Sequence, residues 1–91
     1  MKRSIRVFIS GSVQGIFFRQ FIKDNAEKNK VKGYVRNLDD GRVEVFLEGE
    51  LDSVNNMLEV CKRGPPHSLI RESKEQEEKF QDFKEFKIMN I

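Results

Sequence analysis

Stretches with a two-residue apolar period and stretches with a helical period follow one another in the order β-α-β-β-α-β. The sequence therefore predicts an α+β fold: a ferredoxin-like βαββαβ sandwich, a mainly antiparallel sheet with two helices on one face. Three observations predict it. Ile5, Val7 and Ile9 alternate with Arg6 and Phe8, and Val43, Val45 and Leu47 alternate with Glu44 and Phe46. Phe18, Phe21, Ile22 and Ala26 recur at helical spacing, as do Val54, Met57, Leu58 and Cys61. At 91 residues the chain has room for one hydrophobic core, so residues 1–91 are expected to form a single domain.

The elements follow in order. Alternation over Ile5–Ile9 makes the first strand, and Gly11-Ser12-Val13-Gln14-Gly15 breaks it into a loop. A first helix is expected from Phe18 to Asn29 and a second strand from Val31 to Leu38. Asp39-Asp40-Gly41 signals the turn of a hairpin whose return strand is Arg42–Gly49. Asp52 is a candidate cap for the second helix. Lys62 and Arg63 suit its C-terminus, and Gly64-Pro65-Pro66 stops it. Ser68–Ser73 is a weakly apolar candidate for a fourth strand, Lys74–Lys79 reads as a solvated turn, and Phe83, Phe86 and Ile88 form a last extended segment.

Composition removes several classes of function. Seventeen Lys and Arg against 15 Asp and Glu leave a formal charge of +2, too small for a strongly electrostatic nucleic-acid binder. One cysteine, Cys61, can form neither an internal disulfide nor a multi-cysteine metal site, which fits a reducing compartment. Arg6 interrupts the apolar run near the start, and no stretch reaches the length of a signal peptide core or a membrane span. The expectation is a soluble cytoplasmic protein.

Gly11 to Arg19 is the most informative stretch. Two glycines four residues apart let the backbone curl with its amides inward, and such a nest before a helix N-terminus binds anions. Arg19 adds a planar fork suited to phosphate oxygens. A plain strand-to-helix loop with a surface arginine has the same residues, and physics alone leaves both readings open. Topology adds a second residue. Strands one and two are joined through a helix, run parallel, and end on the same edge of the sheet. With strand three between them their axes lie about 10 Å apart. Arg19, just after strand one, and Asn37, near the end of strand two, can then face one site.

Gly11-Ser12-Val13-Gln14-Gly15-Ile16-Phe17-Phe18-Arg19 resembles the G-x-V-Q-G-V-x-F-R signature of the acylphosphatase family. Gly33-Tyr34-Val35-Arg36-Asn37-Leu38, running on to Asp40-Gly41-Arg42-Val43-Glu44-Val45, resembles the second signature of that family, and Gly64-Pro65-Pro66 and Phe83-x-x-Phe86-x-Ile88 match in order and spacing. The resemblance spans about Ile5 to Ile88. It implies a monomeric hydrolase, free of metal and cofactor, that splits acyl phosphates into carboxylate and inorganic phosphate, with phosphate as both product and inhibitor. Residue by residue, it implies that the backbone of Ser12, Val13, Gln14, Gly15 and Ile16, with Arg19, binds the phosphate, and that Asn37 orients the attacking water. Ser12 stands where a basic residue is common, which predicts weaker phosphate attraction. Ser73 and Glu75 stand at usually apolar positions, which leaves the length of the fourth strand open.

Other residues have blander readings. His67 is expected on the surface, Cys61 as a buried thiol, Asp39 and Asp40 as turn residues, and Lys28, Lys30 and Lys32 on a solvated face. The alternative function is a non-catalytic anion- or RNA-binding module of the same architecture. Phe8 and Phe46 would lie on the helix-free side, where an RNA-recognition domain stacks bases. The third strand lacks the glycine-aromatic pattern of that domain, and Glu44 and Glu48 oppose a phosphodiester there. Neither nucleic acid nor membrane is expected as a partner. The packing expectation is that Phe83 and Phe86 partly cover these rings.

Overall fold

The computed structural model describes residues 1–89. Strand β1 (Lys2–Gly11) leads into helix α1 (Ile16–Lys28). The hairpin β2 (Lys32–Asn37) and β3 (Val43–Glu50) follows, then helix α2 (Leu51–Arg63), β4 (Ile70–Glu77) and β5 (Phe86–Met89). The described strands form one sheet in the order β4-β1-β3-β2-β5, antiparallel except for the β2–β5 pair. The predicted βαββαβ sandwich is thus present, with β3 between β1 and β2.

The period-two pattern selects the face that the helices cover. Ile5, Val7, Ile9, Val35, Val43, Val45 and Leu47 are buried against Phe18, Ile22 and Ala26 of α1 and Val54, Met57, Leu58 and Cys61 of α2. Burial pushes the Cys61 thiol up to about 12, so it is a packed side chain and not a nucleophile.

Several elements differ from the sequence expectation. Helix α1 begins at Ile16, two residues earlier than Phe18. Helix α2 begins at Leu51 with Glu50 in the cap position, so Asp52 lies in the first turn, where its charge favours the helix dipole without capping. Strand β4 runs through Lys74 to Glu77, which the polarity of that stretch assigned to a turn. Backbone pairing of Ile5–Gly11 with Ile70–Glu77 makes this strand, and its side chains face mainly solvent, so no apolar period is needed. Ion pairs of Arg3 with Glu77 (2.5 Å) and Lys62 with Glu75 (3.1 Å) fasten it.

The helix-free face is closed by a polar and aromatic lattice. Glu44 and Glu48 are each 1% exposed. Glu44 accepts from the Tyr34 hydroxyl (2.7 Å) and Arg36 Nε (2.6 Å) and pairs with Arg6 at 3.4 Å. Glu48 accepts from Ser4 Oγ (2.8 Å) and from the backbone N–H groups of Gln81 (2.5 Å) and Phe83 (2.9 Å), which straps the segment before β5 across the sheet. Phe83 then covers Phe46 at 5.2 Å between ring centroids, with Tyr34 stacked alongside at 5.7 Å. Phe46 is buried, and Arg42 lies over Phe8 at 4.9 Å. Phe86 does not join this cover. It lies in the core on the helix side, because β5 pairs with β2 and alternation sends Phe86 to that face.

Tyr34 is the chain's one tyrosine. Burial, then its hydrogen bond to Glu44, pushes its hydroxyl up from 10 to about 12. The native state therefore keeps a proton that the unfolded chain loses. The resulting stabilisation is complete below the unfolded value and is lost as pH rises from 10 through about 12. Phenolate absorbance should show a midpoint near that upper value, and Tyr34→Phe should remove its share of the alkaline stability slope in urea titrations. An ordinary midpoint, or a slope unchanged by the substitution, would contradict this reading.

Candidate active site

The loop between β1 and α1 is shaped by two glycines. Gly11 has φ 137°, and a Cβ there would lie 1.9 Å from the Leu69 carbonyl oxygen, so only glycine fits. Gly15 has φ 127° and precedes the first turn of α1. Glycine adopts this backbone without the steric penalty of a side chain. No side chain caps α1 and no acidic residue sits in its first turn, so the positive end of the helix is left for an external partner.

The N–H groups of Val13, Gln14, Gly15 and Ile16 have no acceptor among the described residues. Successive open amides at an uncapped helix N-terminus form a site for a compact anion. Ser12 is the exception. Its N–H donates to the Leu69 carbonyl at 2.8 Å, so its amide is taken and the expected five-residue backbone cradle is reduced to four. Arg19 lies one helical turn on, and its Nε donates to the Gly15 carbonyl at 3.4 Å, which holds the side chain beside the loop.

Asn37 reaches the same edge from β2. Asn37 and Ile9 both pair with Val43, which sets Asn37 level with Ile9, two residues before Gly11. Its position continues the 33-35-37 alternation, so Asn37 shares the helix-covered face with Val35. Asn37 Oδ1 is buried and has no hydrogen-bond donor among the described residues. A buried carbonyl oxygen of this kind is well suited to accept from a water or substrate group at the edge of the core.

Sequence reasoning assigned Gln14 only a backbone amide. Its side chain has a role as well: Nε2 donates to the carbonyls of Leu38 (2.9 Å) and Arg42 (3.3 Å). The anion loop is thereby clamped to the hairpin turn next to Asn37. A polar side chain between two glycines was the available signal, but its partners lie 24 and 28 residues away. His67 is exposed, as expected, and Asp40 is a turn residue that accepts from the Arg42 N–H at 3.0 Å and from its Nε at 2.8 Å. These bonds hold the Asp40 carboxyl below its usual range.

Comparison with known proteins gives the family. The acylphosphatase family model matches residues 5–88. The chain belongs to the acylphosphatase family. It is 48% identical over 85 residues to an acylphosphatase of Pyrobaculum aerophilum, covering 91% of this chain and 90% of that one. It is 45% identical over 76 residues to one of Rubrobacter xylanophilus, covering 84% and 69% respectively. The crystal structure of the Bacillus subtilis acylphosphatase superposes with a TM-score of 0.91 at 34% identity, covering 99% of this chain and all of that one.

The clamp can be tested apart from catalysis. Gln14→Ala should lower stability by about 1–2 kcal/mol, and it should speed amide exchange across residues 38–42 more than in β1. Uniform exchange in the variant and the parent chain would show that the clamp carries no load.

Proposed function

We propose that the chain hydrolyses the carboxyl–phosphate bond of acyl phosphates with the loop amides of Val13–Ile16, the Arg19 guanidinium and the Asn37 amide. The observation that carries this reading is the meeting, at one sheet edge, of open loop amides and an unsatisfied buried Asn37 carbonyl. The amides and the guanidinium would hold the equatorial phosphate oxygens and offset the charge that develops there. Asn37 Oδ1 would accept a hydrogen bond from water and aim its oxygen at phosphorus.

The reaction then balances simply. The water oxygen forms a bond to phosphorus, the bond from phosphorus to the acyl oxygen breaks, and the electron pair leaves with the carboxylate. A carboxylate with a pKa near 4 departs without a proton, so no general acid is needed. The proton of the attacking water passes to a phosphate oxygen. A neutral amide suffices because it orients and does not deprotonate.

The same reading takes Ser12 as a neighbour of the phosphate through its side chain, and takes inorganic phosphate as product and competitive inhibitor. It assigns no metal or cofactor to the reaction. It extends to a cytoplasmic monomer with neither nucleic acid nor membrane as partner. Support comes from the charged, solvent-facing β4 edge and from the burial of Phe46, which leaves that ring no free face for a base. No described helix is long and apolar enough to cross a membrane.

Benzoyl phosphate hydrolysis, measured with and without a chelator, tests the activity. Arg19→Ala should weaken inhibition by phosphate by roughly 100-fold, whereas Asn37→Ala should lower kcat by roughly 100-fold or more and change phosphate inhibition little. Strict metal dependence, or full activity in both variants, would refute the mechanism. Loss of phosphate binding in Asn37→Ala with turnover retained would reverse the two roles.

A further inference from the structure

We propose that the acyl portion of the substrate lies in a trough between Phe17 and the Pro65–Ser68 turn, and that this trough selects acyl phosphates with a flat apolar acyl group. The inference rests on the hydrolytic reading above and adds the part of the substrate that the phosphate cradle does not read.

The first observation is a cleft of about 210 Å³ that adjoins the loop. Gln14 and Gly15 line its end at the cradle, and Phe17, Pro66 and His67 line its walls. A second hollow of about 500 Å³ shares Pro65, Pro66, His67 and Ser68 with it and is also lined by Phe21 and Val60. The acyl carbon is two bonds from the phosphorus, so an acyl group attached to a phosphate in the cradle must occupy space contiguous with Gly15.

The second observation is exposed apolar surface at the same place. Six large apolar side chains are exposed among the described residues, and three of them surround this loop: Ile16 (66%), Phe17 (87%) and Leu69 (55%). Phe17 is left largely uncovered by the described residues, and stacking an apolar group on it removes water from both surfaces. The opposite wall is preorganised. Ser68 directs both its N–H (3.2 Å) and its Oγ (2.6 Å) at the Pro65 carbonyl, and His67 is held at φ 70°. Two prolines and a closed turn give a wall that needs little ordering on binding. Among the described residues neither hollow has an Asp or Glu on its lining, and Arg63 lines the larger one, so an acyl group bearing an ammonium finds no carboxylate there.

Topology supplies the third observation. In the sheet order β4-β1-β3-β2, the turn before β4 lies on one side of the loop that follows β1, and Asn37 at the end of β2 lies on the other. In-line displacement at phosphorus needs the attacking water and the leaving group on opposite sides. Water held by Asn37 therefore implies a leaving carboxylate on the Pro65–Ser68 side, where the trough is.

The test compares kcat/KM for benzoyl and acetyl phosphate in the full chain, in Phe17→Ala and in Pro66→Ser. Both substituted residues are solvent-exposed, and circular dichroism checks that the variants remain folded. Comparing each variant with the parent chain cancels the intrinsic difference between the two acyl phosphates. The benzoyl-to-acetyl ratio should fall about threefold to tenfold in each variant, through KM for benzoyl phosphate, with phosphate inhibition within about twofold of the parent. A chain that hydrolyses both compounds with an unaltered ratio in both variants overturns this inference alone. A chain that hydrolyses neither overturns the functional reading with it.

Discussion

The hydrogen-bonded pairing of β3 with both β1 and β2 is the constraint on which the site depends. Val43 is the shared residue: it pairs with Ile9 on one side and Asn37 on the other. A register slip of one residue in either ladder would turn Asn37 to the opposite face of the sheet or move it along the loop. Burial prevents such a slip, because it would take Val43, Val45 and Leu47 out of the core and put Glu44 and Glu48 into it. The hydrophobic pattern that folds the sheet therefore also fixes where the polar edge residue points. Gln14 repeats the constraint locally by tying the loop to the Leu38 and Arg42 carbonyls beyond the end of that ladder.

The proposed anion site is built mainly from backbone, which explains its sparse sequence. Helix α1 lacks the capping side chain and the acidic first turn that usually satisfy a helix N-terminus. Helix α2 also lacks a side-chain cap, but it carries Asp52 in its first turn. The difference is chemical: an aspartate at the start of α1 would occupy the same amides that a phosphate needs. Gly15 provides the backbone turn without a side chain, and no atom lies within 4 Å of the place a Cβ would take. Ser12 is drawn away to Leu69, so the nest begins one residue later than the motif alone implies.

Much of this was legible in the sequence because it depends on local pattern. The alternation of Ile5–Ile9 and Val43–Leu47 gave the sheet faces. The strand–helix–strand order alone puts Arg19 and Asn37 at one edge. What was not legible depends on distant partners. Strand β4 has no apolar period because its backbone is held by β1 and its side chains meet water. The face taken by Phe86 depends on its pairing with β2, and its spacing from Phe83 does not reveal that. Asp52 looked like a cap because the helix start was placed two residues too late. Gln14 has acceptors more than 20 residues away, and nothing in its neighbours names them.

The closed helix-free face bears on function as much as the open edge does. A sheet of this architecture can present that face as a binding platform only if its aromatic rings reach solvent. Here the Glu48 carboxylate draws the Gln81 and Phe83 amides onto the sheet, and Phe83 shields Phe46. Glu44 fills the adjoining surface with charge, hydrogen-bonded to Tyr34 and Arg36 and ion-paired with Arg6, whose buried Nε has no hydrogen-bond partner among the described residues. Buried ion pairs add little net stability on their own, because desolvation offsets attraction. The arrangement of the strap is held by Glu48, whose carboxylate accepts from the Gln81 and Phe83 N–H groups, and this removes the broad face from competition. The chemistry available to the fold is left at the β1–α1 edge, where backbone amides meet the solvent and the hairpin end carries an unsatisfied carbonyl.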